Sequence, residues 1–321
     1  MKVAFMAKNQ NIARGSYRIH IDNLNYYFNS INIYSKINPN NIEDFDVIIY
    51  DKNYISIKKI KNKLCGSITP SADNYKLLRE IDFIIVGSVE EKDSMIKYNK
   101  NCFLFPQIEK KFQKIEPKIH TKKNKIIIGY HGNSVHLNHM HLGLKNALGR
   151  LSKELPIKLI YISNTDKHWI QGIANIEKEF KKWNIKTIIN DIKTFDIGIV
   201  PNISEAVNDN RLNTNMTLGL YNTDFKIRFK NKSNIGRSLV LFQCGIPVIA
   251  DITPSNMHIL ADPNNGYAVL SEDGWYNALK NLCCEKHRNF IAKNAYNECK
   301  RLYDPLVWAQ KLIISINNIN K

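Results

Sequence analysis

Residues 234–250 read Asn-Ile-Gly-Arg-Ser-Leu-Val-Leu-Phe-Gln-Cys-Gly-Ile-Pro-Val-Ile-Ala. Asn234–Cys244 has the apolar content and length of a buried helix, and Pro247–Ala250 is a short β-branched run that reads as a buried strand. A helix turning through glycine and proline into such a strand is part of a βαβ unit, and repeated units of this kind build parallel sheets. The alternation extends in both directions. Upstream, strands are predicted at Lys125–Ile128, Ile157–Ile162, Lys186–Ile189 and Asp196–Val200, with helices at His136–Leu151 and Ile173–Trp183. A long polar excursion, Asn202–Thr223, separates the last of these from the opening stretch. Downstream come helices at Gly274–Cys284, His287–Leu302 and Leu306–Ile316, the last opened by Pro305.

A second series of the same kind occupies the amino-terminal part. Strands are predicted at Val3–Met6, Val47–Tyr50, Phe83–Val86 and Cys102–Phe105, a helix over Ser16–Phe28, and further helix starts near Pro70 and Ser88. Between the two series, Ile108–Lys125 is polar and lysine-rich with one proline, the composition of a linker. The expected architecture is α/β and bilobed, two similar-sized units joined by a basic linker. Ligands of parallel α/β sheets bind beyond the carboxyl ends of the strands, so a cleft between the lobes is the expected site.

Composition narrows the function classes. The 321 residues carry 46 Lys+Arg against 29 Asp+Glu, a net charge of +17, which favours anionic partners. The excess is spread along the chain and is mostly lysine, whereas base and phosphate readers favour arginine, and no zinc-finger, RNA-recognition or homeodomain signature is present. Nucleic acid is therefore not an expected partner. The six cysteines form no C-x-x-C pair, so reduced thiols and a cytoplasmic location are expected. No apolar run approaches the ~18–20 residues of a membrane span, and the start lacks a signal-peptide core.

Three segments carry possible chemistry. In Asp224–Arg237, Lys226, Arg228, Lys230 and Lys232 share one parity, and Phe225, Ile227 and Phe229 the other. An extended chain would project the cations from one face, ~6.5–7 Å apart. Ser233 or Asn234 would cap the following helix, whose amino terminus favours an anion, with Arg237 in its first turn. The result is either a diphosphate clamp or an ordinary solvated edge strand. Gly129–Ser134, with Gly132 and Asn133, follows a strand and precedes a helix, where glycine lets the backbone approach a bound group. The nearby His131, His136, His139 and His141 lack a carboxylate or cysteine to complete a metal shell, so no metal is expected. The third segment, with Lys8, Arg14, Gly15, Ser16 and Arg18, is a strand-to-helix loop suited to an anionic group or simply a polar turn. Neither a P-loop nor a three-glycine dinucleotide fingerprint is present, and the D-x-D of Asp44–Asp46 lies before its strand rather than after it.

Asp196-Ile-Gly-Ile-Val-Pro201, the Lys232–Arg237 segment, Leu241–Ala250, Asn265-Gly-Tyr267 and Trp275 together resemble the carboxyl-terminal lobe of the GT-B glycosyltransferases. Within them the bacterial group-1, GT4-like enzymes are the nearest in pattern. Ile126–Gly132 resembles the strand and turn opening that lobe, Ile84–Ser88 and Phe105-Pro106 the end of the first lobe, and the helix after Pro305 the one that crosses back.

The resemblance implies an α/β fold of two Rossmann-like lobes facing each other across a cleft: an acceptor-side lobe over 1–118, a nucleotide-donor lobe over 119–302 and a crossover helix over 303–321. It implies a transferase of the hexosyltransferase type, moving a sugar from a nucleotide-diphosphate donor to a bacterial glycan or lipid-linked acceptor, with no cofactor and no metal. Arg237 and Lys232 would stabilise the leaving diphosphate, with Gly132, Asn133, Arg228, Lys230, Ser233, Asn234 and Gly236 around the donor. Arg14, Gly15, Ser16 and Asp73 would face the acceptor, and Asp73 or His20 would supply a base if configuration is inverted. Where many relatives carry two glutamates eight residues apart, this chain has Lys232 and Val240, with Glu205 as a displaced counterpart of the first. Other readings stay open: transfer of a different nucleotide-activated group such as a polyol phosphate, or ligand binding without catalysis. Lys58, Lys59, Lys61, Lys63 and the linker lysines would serve any contact with an anionic membrane face.

Overall fold

The structure is a computed structural model. It describes residues 1–52, 59–70, 75–134, 137, 142–166, 176–205, 227–229 and 234–319; of 75, 142, 203–205 and 227–229 only the backbone is described.

The first sheet takes strands β1 (Val3–Met6), β2 (Ser35–Ile37), β3 (Val47–Tyr50), β4 (Leu64–Ile68), β5 (Phe83–Val86) and β6 (Cys102–Leu104), all parallel in the order β2-β1-β3-β4-β5-β6. The runs expected at β1, β3 and β5 form strands over the same residues. Two strands were not legible. β2 has three residues at the sheet edge, and β4 is interrupted in pattern by Gly66 and Ser67. Gly66 is required by packing, because a Cβ there would lie 2.2 Å from the Phe83 ring. The helix expected over Ser16–Phe28 is three consecutive pieces: Gly15–Tyr17, a π-turn over Arg18–Asp22, and Asn23–Ser30. Ser88 caps the Val89–Met95 helix by accepting from the Glu91 amide at 3.1 Å.

In the second sheet, β7 (Ile126–His131), β8 (Ile157–Ser163), β9 (Glu177–Lys182), β10 (Ile197–Val200), β13 (Val248–Asp251) and β14 (Tyr267–Val269) run parallel in the order β14-β13-β10-β7-β8-β9. A separate antiparallel pair joins β11 (Ile203–Glu205), at the start of the excursion, to β12 (Ile227–Phe229), beyond its end. Helices Gly236–Gln243, Pro254–Leu260, Glu272–Asn281 and Glu285–Leu302 cover this sheet. Pro305–Asn317 returns to the first lobe, where Ala309, Leu312, Ile313 and Ile316 join the core formed by Val3, Phe5, Leu24 and Phe28.

Two expectations in this lobe are corrected. The helix predicted over Ile173–Trp183 contains β9, and the strand predicted at Lys186–Ile189 runs into a helix, Ile188–Lys193. The sequence Glu-Lys-Glu-Phe-Lys-Lys has helix-favouring residues, but on an edge strand those charges pair across to β8: Lys158 reaches Glu177 at 2.7 Å and Glu179 at 2.8 Å. Conversely, Ile188 and Ile192 bury at helical spacing and override the β-branched local preference.

The connector after β6 is bound to the second lobe rather than solvated. Ile108 and Phe112 enter that lobe's core, and the His120 ring is buried with Nε2 2.9 Å from the Gly245 carbonyl. Lys118 and Lys123 contact the buried Asp196 carboxylate at 3.0 and 2.9 Å. Gly245, at φ +70°, permits this approach, since a Cβ there would stand 2.5 Å from the Lys118 backbone nitrogen. Several lysines considered for a membrane face are likewise engaged: Lys59 with Asp82, Lys63 with Glu43, and Lys125 with Glu177. Among the described residues no helix is long and apolar enough to cross a membrane.

Candidate active site

A cleft of about 350 Å³ opens between the lobes, beyond the carboxyl ends of the strands. From the first lobe and connector it is lined by Gly15, Arg18, Gln107 and Glu109. From the second, the His131–Asn133 turn, Asn164, Trp183, Asn202, Asn234, Gly236 and Arg237 line it.

Arg237 organises the second-lobe wall. The Gly236–Gln243 helix sets it in the first turn, and the Asn234 side-chain oxygen accepts the Gly236 amide at 3.0 Å. Its guanidinium donates to Tyr130 Oη at 3.1 Å, to the Pro201 carbonyl at 3.4 Å and to Asn202 Oδ1. Tyr130 Oη in turn donates to the Asn133 carbonyl at 2.7 Å, which couples the arginine to the turn after β7. Gly132 sits at φ +134°, and a Cβ on it would stand 3.0 Å from Arg237 Cδ. Glycine here therefore serves both the backbone conformation and the close passage of the arginine. His131 Nε2 lies 3.0 Å from the Arg237 carbonyl, so Nε2 carries the hydrogen. Burial holds this imidazole well below the ordinary histidine range, at about 4, and it is neutral near pH 7.

The facing wall is different. Arg18, 7% exposed, donates through Nε to Glu109 at 2.7 Å, and Nη1 donates to the Ile12 carbonyl at 3.1 Å. Its guanidinium lies 4.5 Å above the Trp183 ring of the second lobe. Glu90 of the first lobe accepts the Ser255 amide at 3.0 Å and its hydroxyl, a second tie between lobes.

Of the residues expected at the site, Gly132, Asn133, Asn234, Gly236, Arg237 and Gly15 are brought together in the cleft. Arg14 is exposed, and neither it nor Ser16 lines the cavity. Glu205 and Arg228 fall on β11 and β12, where Glu205 pairs with Ile227 and Ser204 with Arg228; the stretch around Arg228 is extended, as the alternation predicts. Lys230, Lys232, Ser233 and Asp73, with Lys226, His136, His139 and His141, lie outside the described residues. Sequence reading missed Gln107, Glu109, Asn164, Trp183 and Asn202. The connector was read as linker and Trp183 as a helix end; only Asn202, directly after the D-x-G-x-x-P strand, carried a usable positional signal.

No family model and no curated protein matches the sequence. Solved structures do. Anabaena Alr3699/HepE, in complex with UDP and glucose, superposes with a TM-score of 0.65 at 10% identity, covering 99% of this chain and 100% of that one. Sucrose-phosphate synthase from Thermosynechococcus elongatus gives 0.63 at 9% identity over 99% of each chain. S. aureus TarM gives 0.62 at 13% identity, over 85% of this chain and 55% of that one. The chain has the GT-B fold. At these identities the likeness is one of fold, and the expected two lobes and returning helix are those of GT-B. The site must therefore be judged on its own residues. A guanidinium without an ion-pair partner among the described residues, a helix amino terminus and a glycine turn converging on one cleft can hold a diphosphate and stabilise charge developing on it.

Proposed function

We propose that the protein is a glycosyltransferase that takes a sugar from a nucleotide-diphosphate donor held in the cleft, without a metal ion. The observation that carries this reading is Arg237, whose guanidinium faces the cavity on neutral acceptors alone among the described residues. As the bond from the anomeric carbon to the diphosphate breaks, the leaving oxygen takes the electron pair. Arg237 and the amides at the start of its helix stabilise that charge, while the acceptor hydroxyl oxygen bonds to the anomeric carbon and releases its proton. Lys232, Lys230, Arg228 and Ser233 would add to the donor side, Glu205 would contact the donor, and Asp73 would serve the acceptor side. The neighbours support a uridine donor first: HepE is described with UDP and with UDP-glucose. The acceptor we favour is a bacterial glycan, free or lipid-linked.

A thermal-shift screen of the whole chain with UDP, GDP, CDP, ADP and CMP tests the reading, followed by donor hydrolysis over nucleotide sugars and CDP-polyols. A nucleotide at a hundred times its Kd contributes ~2.7 kcal/mol, a rise in Tm of several degrees for a protein of this size. UDP is expected to produce it, with hydrolysis of a UDP-sugar. Stabilisation without turnover of any donor would leave a binding protein, turnover of a CDP-polyol would leave a polyol-phosphate transferase, and no stabilisation by any nucleotide would remove the proposal.

A further inference from the structure

His131 ends β7 and lines the cleft beside Gly132 and Arg237. Its Nε2 donates to the Arg237 carbonyl at 3.0 Å, which fixes the tautomer and leaves Nδ1 with a lone pair and no hydrogen. Nδ1 has no hydrogen-bond partner among the described residues, and unlike the unpartnered Asn202 Nδ2 and Ser134 Oγ it is not sealed from solvent. Burial and, secondarily, the Arg237 guanidinium keep the ring unprotonated near pH 7, so the lone pair persists there.

Four other side-chain acceptors on the cleft walls are engaged within the protein. Glu109, the one carboxylate lining the cleft among the described residues, accepts from Arg18 at 2.7 Å. Asn202 Oδ1 accepts from Arg237, Asn234 Oδ1 from the Gly236 amide at 3.0 Å, and Asn164 Oδ1 from Ser163 Oγ at 3.2 Å. The Gln107 amide can turn either end to a ligand, whereas His131 Nδ1 can only accept. What meets it must therefore be a donor. Diphosphate oxygens at neutral pH only accept, and their partners are Arg237 and the amides of its helix. On either side of the diphosphate, a nucleotide sugar carries hydroxyls, those of the ribose and those of the transferred sugar; the base lies one ribose further away.

We infer that His131 Nδ1 accepts a hydrogen bond from a donor-substrate hydroxyl next to the diphosphate, on the ribose or on the sugar, and so selects the ligand at that position. The inference rests on the donor reading above and adds a specificity residue to it. A neutral imidazole this weakly basic orients the hydroxyl and does not take its proton.

The test is titration calorimetry of the full-length protein with UDP, its 2′- and 3′-deoxy forms, UDP-glucose and its monodeoxyglucose analogues, or the same set on whichever base the thermal-shift screen selects. One deoxy ligand is expected to bind wild type about three- to tenfold more weakly than its parent, the range of a single neutral hydrogen bond. In His131→Gln, whose Nε2 can still donate to the Arg237 carbonyl while no acceptor stands at the Nδ1 position, parent and deoxy ligand should bind equally. A loss confined to a deoxyribose ligand assigns the ribose, and one confined to a deoxyglucose ligand assigns the sugar. If the variant does not fold by circular dichroism, ¹⁵N NMR of the wild-type imidazole decides: the Nδ1 resonance should move with the parent ligand and stay with the deoxy one. Parent ligands that bind and depend on Arg237, with discrimination the same in His131→Gln or an unmoved Nδ1 resonance, overturn this inference and leave the donor reading standing. No binding of any nucleotide or nucleotide sugar overturns both.

Discussion

Two arginines face the cleft from opposite lobes, and the protein treats their charges in opposite ways. Arg18 is buried against the Glu109 carboxylate, two backbone carbonyls and the Trp183 ring. Arg237 is held just as firmly, but by a phenol, a carbonyl and an amide, none of them charged. The first is a closed ion pair whose guanidinium also rests on the Trp183 ring of the other lobe, and nothing is left over to attract a ligand. The second is a positioned charge without a counter-ion among the described residues, which is the state expected of a group awaiting an anion. Residue type and location in the cleft do not separate them. The partner does.

The contrast makes its largest claim on stability. Glu109→Ala would strand the Arg18 guanidinium without its carboxylate, and removing one partner of a buried pair costs about 3–5 kcal/mol. Replacing both, as in Arg18→Met/Glu109→Leu, is expected to recover most of that loss, because apolar packing of similar volume can substitute for a buried pair. Urea unfolding of the three proteins measures both. A Glu109→Ala variant with wild-type stability would show that the pair is not closed in solution, and the comparison would break there.

The next claim falls on turnover. Arg237→Ala is expected to lower the rate of donor turnover by about 10²–10³, the effect of removing one group that stabilises developing negative charge, while shifting Tm little. Of the neutral partners it leaves behind, Asn202 lines the cleft, where its Oδ1 can be hydrated, and Tyr130 Oη keeps its bond to the Asn133 carbonyl. Steady-state kinetics with the donor found by the nucleotide screen, beside a melting curve, separates the two quantities. Unchanged kinetics would move the anion site elsewhere; a loss of stability as large as that of Glu109→Ala would make Arg237 another structural arginine.

How much of this was legible depended on whether a residue's role is set locally. Fully buried strands such as Val47–Tyr50 and Phe83–Val86 announce themselves as apolar runs, and the turn after β7 and the start of the Gly236–Gln243 helix follow from glycine and capping chemistry within a few residues. Roles set by distant partners were illegible. Asp196 stood out as the first residue of a motif, yet its work is to hold Lys118 and Lys123, more than seventy residues away in the chain, against the second lobe. The charges of β9 read as helix because their partners on β8 are invisible from within the segment. The distinction between Arg18 and Arg237 belongs to the same class: Glu109 is 91 residues from Arg18 and sat in a stretch that composition marked as linker.

The smallest effect lies in pH. His131 is buried beside Arg237, and its folded-state value of about 4 lies below the ~6.5 of an exposed histidine. Burial is the main cause; the Arg237 guanidinium pushes in the same direction, and the bond to the Arg237 carbonyl opposes it. Between these two values the unfolded chain binds a proton that the folded chain refuses, so stability is full above pH ~6.5 and falls as pH drops towards 4. The loss from this group is on the order of 3 kcal/mol. Asp196 acts in a lower window: although its burial opposes ionisation, His120, Lys123, the Ile127 amide and Lys118 hold its carboxyl below the ordinary aspartate range, so its contribution disappears only as pH falls below ~4. Urea unfolding between pH 3 and 7 should therefore show a slope that His131→Gln flattens above pH 4 and leaves unchanged below it. A bound diphosphate sharpens the comparison, because an anion on Arg237 lessens the repulsion that adds to burial in keeping His131 neutral. Saturating nucleotide should raise the imidazole's value, read by NMR titration of its ring protons. No such movement, with the nucleotide demonstrably bound, would place the anion away from Arg237.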